Sequence, residues 1–317
     1  MNKIATAQTI TQKIPITKPT FGEEEIAAVR EVLESGWVVQ GPKVAEFEKR
    51  FADIVGSDHA VATTSCTTAL HLLMIASGIG QGDSVLLPAF TFVASANAVE
   101  YTGARPEFVD IDLNTFAVDV GQLERLLRLR RSIDAKCVMP VSLFGLCADM
   151  PAINELAAQH GLCVLEDAAC GLGAYREENH AATEAWAGAF SMHPRKAIST
   201  GEGGMIVTAD PDFAARLRSL RDHGASATDY QRHVEQGGSL LPEFNQLGYN
   251  YRLTDIQAAI GLVQLEKAGF ILERRRELAA MYDALLSDCE KLVTPGAPQS
   301  CRHAYQSYVC LYGSNSV

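Results

Sequence analysis

Lys196 offers the most chemistry in the chain. It lies in Ser191-Met192-His193-Pro194-Arg195-Lys196, ahead of the turn Gly201-Glu202-Gly203-Gly204. Held on a loop between rigid flanks, its amine can condense with an aldehyde. Upstream, Leu162-Cys163-Val164-Leu165 is a buried-strand pattern ending on Glu166-Asp167, with small residues from Ala168 to Gly173 after it. A carboxylate at such a strand end can pair with a protonated ring nitrogen. A third group, Thr64-Ser65-Cys66-Thr67-Thr68, gathers small hydroxyl side chains at a predicted helix start. Free backbone N–H groups and the helix dipole would hold an anion there. Taken singly, each has a plain reading: a solvated lysine, a strand-end acid, a Ser or Thr N-cap. Taken together, an amine, a carboxylate and an anion seat suit pyridoxal 5′-phosphate (PLP).

These groups need elements to position them. Apolar runs Ala187–Phe190 and Met205–Thr208 bracket the lysine loop as strands. His59–Thr64, Ser84–Leu87, Pro106–Asp110 and Cys137–Leu143 are further strand candidates. Helical patterns fall between them: Thr68–Ser77, a stretch around Phe92–Tyr101, and a helix from an Asp149 cap to a Gly161 stop. Alternating βα units predict an α/β fold, a mostly parallel sheet with helices on both faces and ligands at the strand C-terminal ends. Ser65–Thr68, Asp167 and Lys196 each follow a strand. Phe92, just past a strand end, suits either core packing or stacking on a flat ring, and packing is the simpler reading.

Two amphipathic helices precede this region. One is Gly22–Ser35 with the stripe Ile26, Val29 and Leu33, and the other carries Val44, Phe47 and Phe51. Both are expected to pack on the larger body. After Thr208 come a helix over Asp212–Leu220 and a polar stretch over Arg221–Leu240 that reads as a mobile loop. Two more helices, Ile256–Glu266 and Glu273–Leu286, follow a cap at Thr254 or Asp255; the second carries Arg274-Arg275-Arg276, read as a solvated face. Ala304–Tyr312 alternates like a strand.

Composition narrows the function classes. A chain of 317 residues, 47% hydrophobic and 21% charged, has room for a large domain and a smaller one. A net charge of −11 opposes nucleic-acid binding, which needs cations against phosphates. No apolar run reaches the roughly 20 residues of a membrane span. Eight cysteines, several in apolar runs and none in a C-x-x-C pair, read as reduced thiols of a cytoplasmic protein. Cys301 and His303 lack a second ligand pair with zinc spacing, so no metal is expected.

The motifs, in order, resemble those of the DegT/DnrJ/EryC1/StrS family of PLP-dependent sugar aminotransferases, whose fold is that of aspartate aminotransferase (fold type I). The carriers are Gly41-Pro42, Thr67-x-Ala69-Leu70, Pro88-Ala89-Phe90-Thr91-Phe92-Val93-Ala94, Glu166-Asp167-Ala168-Ala169 and Ser191-x-His193-x-x-Lys196. Gly201-Glu202-Gly203-Gly204, Arg221-Asp222-His223-Gly224 and Gly248-Tyr249-Asn250-Tyr251-Arg252 complete them. The resemblance implies that Lys196 forms a Schiff base with PLP and moves protons, with its pKa lowered by burial and nearby positive charge. It implies that Asp167 keeps the ring nitrogen protonated and that Phe92 stacks on the ring. It assigns the phosphate to Cys66, Thr67, Ser191 and Asn250 of a second subunit, making a homodimer with a shared site, and adds His193 and Cys170 to the cofactor-binding set. The implied reaction moves an amino group from glutamate or glutamine to a keto-sugar, commonly nucleotide-linked.

The resemblance implies three domains: a flexible segment over 1–14, a large PLP-binding domain over 15–247 and part of a small α+β domain over 248–317. Its pattern runs beyond Val317, so the chain reads as C-terminally truncated. Two positions depart from it: Cys66 stands where a glycine is usual and would crowd the phosphate, and Cys170 stands where glutamine or histidine usually meets the ring hydroxyl. A dehydratase with histidine in place of the lysine is opposed by Lys196. A diverged, non-catalytic member with weak PLP binding and a regulatory or assembly role is the alternative.

Overall fold

The computed structural model describes residues 15–129, 135–226 and 243–313. Residues 1–14, 130–134, 227–242 and 314–317 lie outside that description, and so do the expectations made for them.

The sheet is built from seven strands: β1 His59–Thr63, β2 Ser84–Pro88, β3 Arg105–Val109, β4 Ala135–Val138, β5 Cys163–Asp167, and later β8 Ala187–Ser191 and β9 Gly204–Thr208. Two short strands, β6 Tyr175–Arg176 and β7 Asn179–His180, form a hairpin outside it. The sheet order is β1-β9-β8-β5-β4-β2-β3. Pairings from β8 to β3 are parallel, while β9 is antiparallel to both β8 and β1. Six strands therefore run one way, and their C-terminal ends share one edge. β4 stops short of the expected Leu143 because Pro140 has no N–H for the ladder. Its carbonyl still accepts from Asp167 N at 2.9 Å, and Val141 bridges to Asp167.

Helices α1 Glu23–Ser35, α2 Pro42–Val55, α3 Cys66–Ala76, α4 Val93–Glu100, α5 Val120–Leu129, α6 Met150–His160, α7 Pro211–Arg221 and α8 Asp255–Leu286 surround the sheet. Strand alternation divides the core. Ala60 and Ala62 face α2 and α8 with Phe47, Phe51 and Phe190, while Val61 faces α3 and α7 with Leu70, Leu73 and Leu217. α5 lies between two expected strands where no helix was expected, and Leu123 anchors it in a third cluster with α6.

Several expectations need correcting. The two C-terminal helices are one, 32 residues long. Gly269 costs it about 1 kcal/mol of propensity, but Lys267 on Glu25 at 2.8 Å and Leu272 on the core hold both sides of that glycine. Arg275 and Arg276 are not a solvated face. Arg275 donates to the carbonyls of Lys196, Tyr305 and Gln306, and Arg276 to those of Gly173 and His303. Only Arg274 keeps to its own helix, paired with Glu277. Those arginines replace a ladder for 303–306, where Tyr305 has a φ of 47°. The strand expected over Ala304–Tyr312 shrinks to β12 Leu311–Tyr312, paired with β10 Leu292–Val293, while β11 Cys301–Arg302 ahead of it pairs with β6. The stripe of α1 also faces outward: Ile26 and Leu33 are exposed, and Glu25 turns in to Lys267 and Gln264.

Thr254 caps α8 through a reciprocal pair with Gln257. Asp255 does something else. Its carboxylate accepts from the N–H groups of Gly41, Lys43 and Val44, so it caps α2 from 214 residues away. No helix among the described residues is long and apolar enough to cross a membrane.

Candidate active site

Three of the C-terminal strand ends carry the site. At β1 the chain leaves through Thr64 and Ser65 into α3. Ser65 caps that helix: its Oγ accepts from Thr68 N at 3.2 Å, and Thr68 Oγ1 accepts from Ser65 N at 3.1 Å. The helix therefore starts two residues earlier than its hydrophobic pattern indicated. Among the described residues, no acceptor is recorded for the amides of Cys66 and Thr67, the first two of the helix. Gly204, at the start of β9, lies against this turn; a Cβ there would sit 2.3 Å from Ser65 O.

Cys66 does not crowd the turn. Its thiol points at the Ala189 carbonyl, 3.8 Å away, and the side chain is 8% exposed within the core. Burial pushes its pKa well up, so it is a neutral thiol.

At β5, Asp167 is 4% exposed and held by two donors. Ser95 Oγ donates to Oδ2 at 2.6 Å and Ala169 N to Oδ1 at 3.0 Å. Burial raises its pKa, against these bonds and the charge of Lys196. Ser95 was missed from sequence; its only signal was a small polar residue one helical turn beyond Thr91, whose Oγ1 is 2.8 Å from Ser95 Oγ. Glu166 points to the other face. It accepts from Ser142 Oγ at 2.5 Å and Ala182 N at 2.8 Å, and burial pushes it up to about 7.

At β8, Ser191 pairs with Gly204 across the sheet. The motif Ser191-x-His193-x-x-Lys196 is a folded loop: Lys196 N donates to His193 O at 2.8 Å, and His193 Nδ1 accepts from Arg195 N at 3.2 Å. Arg275 then ties down the Lys196 carbonyl at 3.0 Å. Lys196 Nζ donates to Cys170 Sγ at 3.1 Å. The lysine's pKa is raised, contrary to the lowering expected. Burial alone lowers it, but the hydrogen bond to Cys170, helped by the nearby Asp167 carboxylate, outweighs burial.

Lys196, Asp167, Cys66 and Cys170 thus lie together in one site. Thr67 follows Cys66 in the first turn of α3. Phe92 is the N-cap of α4 and is 73% exposed, so the packing reading fails for it. Asn250 is exposed, with its backbone bridged to Asp222.

This donor set fits PLP. A buried carboxylate fixed by two donors, an amine beside it, and open amides at a helix start answer the ring nitrogen, the aldehyde and the phosphate in turn. The fit rests on the chemistry of the donors.

The chain matches the model of the DegT/DnrJ/EryC1/StrS aminotransferase family over residues 19–316. It is 42% identical over 296 residues to the spore coat polysaccharide biosynthesis protein SpsC of Bacillus subtilis, covering 93% of this chain and 75% of that one. Its fold matches Helicobacter pylori PseC, an aminotransferase involved in pseudoaminic acid biosynthesis, with TM-score 0.86 and 28% identity over 95% of this chain and 78% of that one. It also matches a GDP-4-keto-6-deoxymannose-3-dehydratase solved with a trapped PLP-glutamate adduct, with TM-score 0.85 and 26% identity over 96% and 80%.

Proposed function

The chain belongs to the DegT/DnrJ/EryC1/StrS aminotransferase family, and from that premise we propose that it moves an amino group from glutamate or glutamine to a nucleotide-linked keto-sugar, with PLP carried on Lys196. The observation that carries this reading is the amine of Lys196 set beside the buried, doubly bonded carboxylate of Asp167. PLP, when bound, supplies an electron sink that makes the proton on the donor's amino-bearing carbon removable.

The chain's own residues supply the rest. Asp167 pairs with the ring nitrogen. Its raised pKa does not defeat this, because a cationic ring nitrogen would favour the carboxylate just as Lys196 does. The amides of Cys66 and Thr67 and the hydroxyl of Ser191 hold the phosphate. Phe92, exposed at the start of α4, covers one ring face. Lys196 Nζ would be the group that takes up and returns that donor-carbon proton. Cys170 now holds it as a cation, so that work needs the sulfur drawn away or screened by the bound ligand.

The working unit is a homodimer in which Asn250 of the partner subunit completes the phosphate site. Its support is the exposed Asn250 beside the exposed apolar side chains of Phe244 and Leu247, of the kind that a second copy covers. Eight free thiols suit a reducing cytoplasm. The division into a large domain over 15–247 and a smaller one from 248 belongs to the same reading, with α8 as the link.

The test is an absorbance spectrum of the purified protein with PLP, before and after excess glutamate, then after nucleotide-linked keto-sugars. A visible band that glutamate bleaches and a keto-sugar restores, with the amino sugar found by mass spectrometry, is the expected result. No visible band would hand the lead to a non-catalytic family member. A sugar product that has lost water without gaining nitrogen would mean the dehydratase reaction.

A further inference from the structure

Cys170 is a nucleophile for which the proposed reaction has no use. Its sulfur lies 3.1 Å from Lys196 Nζ, and both side chains are partly exposed. The backbone that carries each group is held. Cys170 lies in the tight turn after Asp167, closed by Gly171 N on Ala168 O at 2.8 Å, while Lys196 is pinned at its N–H and its carbonyl. The other cysteine of the site is a poor competitor, since Cys66 is buried with its thiol directed at the Ala189 carbonyl. Oxidants attack exposed sulfur first, and a cysteine sulfenic acid condenses with whatever nucleophile is held against it.

We propose that Cys170 is a peroxide-oxidation site whose sulfenic acid is captured by the amine of Lys196, forming a reversible sulfur–nitrogen cross-link. In the first step the sulfur attacks hydrogen peroxide. An S–O bond forms, the O–O bond breaks, and water leaves; sulfur is oxidised by two electrons and peroxide reduced. In the second step the neutral lysine amine attacks sulfur. The S–N bond forms, the S–O bond breaks, and hydroxide leaves with the amine's proton as a second water. The first step favours the second. The Cys170 sulfur, 3.1 Å away, is the leading partner that keeps the lysine protonated against burial. Once the sulfur carries oxygen that partner is lost, and burial favours the free amine. The cross-link takes the lysine out of use, and thiols restore it. That cost to cofactor binding rests on the function proposed above; the cross-link itself does not.

The test treats the full chain, freed of PLP, with hydrogen peroxide and maps unreduced peptides by mass spectrometry. The expected result is a peptide pair joined between Cys170 and Lys196, lighter than the two peptides together by two hydrogens and separated by dithiothreitol. Cys66→Ser keeps the link. Cys170→Ser loses it, and Lys196→Arg loses it while leaving a sulfenic acid that dimedone captures. A Cys66–Cys170 disulfide, or Cys170 carried on to sulfinic acid with Lys196 still open to acetylation, would overturn the proposal. The wild-type map decides the matter even if a variant does not fold.

Discussion

Ser95 Oγ donates to Asp167 Oδ2 at 2.6 Å, joining the first turn of α4 to the end of β5, and both side chains are buried. A hydrogen bond to a charged group contributes about 1.5–3 kcal/mol, and a buried one is not replaced by water. Ser95→Ala leaves the Asp167 carboxylate with Ala169 N as its one remaining donor among the described residues and raises a pKa that burial has already raised. PLP should then bind about tenfold or more weakly, as read from an absorbance titration. An unchanged Kd would reduce Ser95 to a packing residue.

Lys196→Ala removes the amine beside Asp167 and Cys170. Borohydride should no longer fix PLP to the chain, and the visible band should be lost. Continued covalent fixation at another lysine would sink the role proposed for Lys196.

The two cysteine departures should separate under mutation. Cys170→Gln places an amide where the sulfur now meets Lys196, which removes a partner that holds up the lysine's pKa. Its expected effect is a tighter complex with PLP and a lysine that titrates lower. Cys66→Gly should not help the phosphate, because the Cys66 side chain already points into the core. It should instead cost about 1 kcal/mol of stability through lost burial and backbone freedom, measured by denaturant unfolding.

Gly204 admits no side chain, since a Cβ would lie 2.3 Å from Ser65 O and 2.6 Å from Thr63 Oγ1. Gly204→Ala should destabilise the fold by about 1–3 kcal/mol and weaken PLP binding by shifting the turn that presents the Cys66 and Thr67 amides. A stable variant with unaltered PLP affinity would show that this turn does not hold the phosphate.

Glu166 gives a pH signature. Its folded pKa, about 7, is above the ordinary 4.5, so the native state binds its proton more tightly than the unfolded chain does. The stabilising contribution is full below about 4.5 and is lost as pH rises through about 7. Glu166→Gln keeps an acceptor for Ala182 N and offers an N–H that Ser142 Oγ can accept once its hydroxyl turns, without ionising. Relative to it, the wild type should lose about 3 kcal/mol between pH 4.5 and pH 8. His180 and His303, depressed by burial to about 4, act oppositely over part of that range in both proteins, so the difference isolates Glu166. Parallel stability curves would mean that Glu166 stays charged.

Much of this was legible in the chain because it is local. Lys196, Asp167 and the Ser65 cluster each follow an apolar run of strand length, and parallel strands put such ends on one edge whatever their order. Periodicity also located most helices, and the hydroxyl-rich turn announced a helix start. It could not show that Ile256–Glu266 and Glu273–Leu286 are one helix. Nor could it show that Arg275 and Arg276 take carbonyls of the lysine loop and of 303–306, because charged residues at helical spacing look the same on a wet face and on a buried one.

What the sequence by itself determined, then, was the family, through its run of motifs, and the α/β layering with the strand ends that carry Ser65, Asp167 and Lys196. Tertiary structure decided the rest. It turned Cys66 into the core, set Cys170 against the lysine and so raised a pKa expected to fall, brought Ser95 across 72 residues to Asp167, and placed Asp255 as the cap of α2. These are contacts between distant segments. Hydrogen-bond direction and burial arise only when two elements pack, and no window of sequence contains both partners.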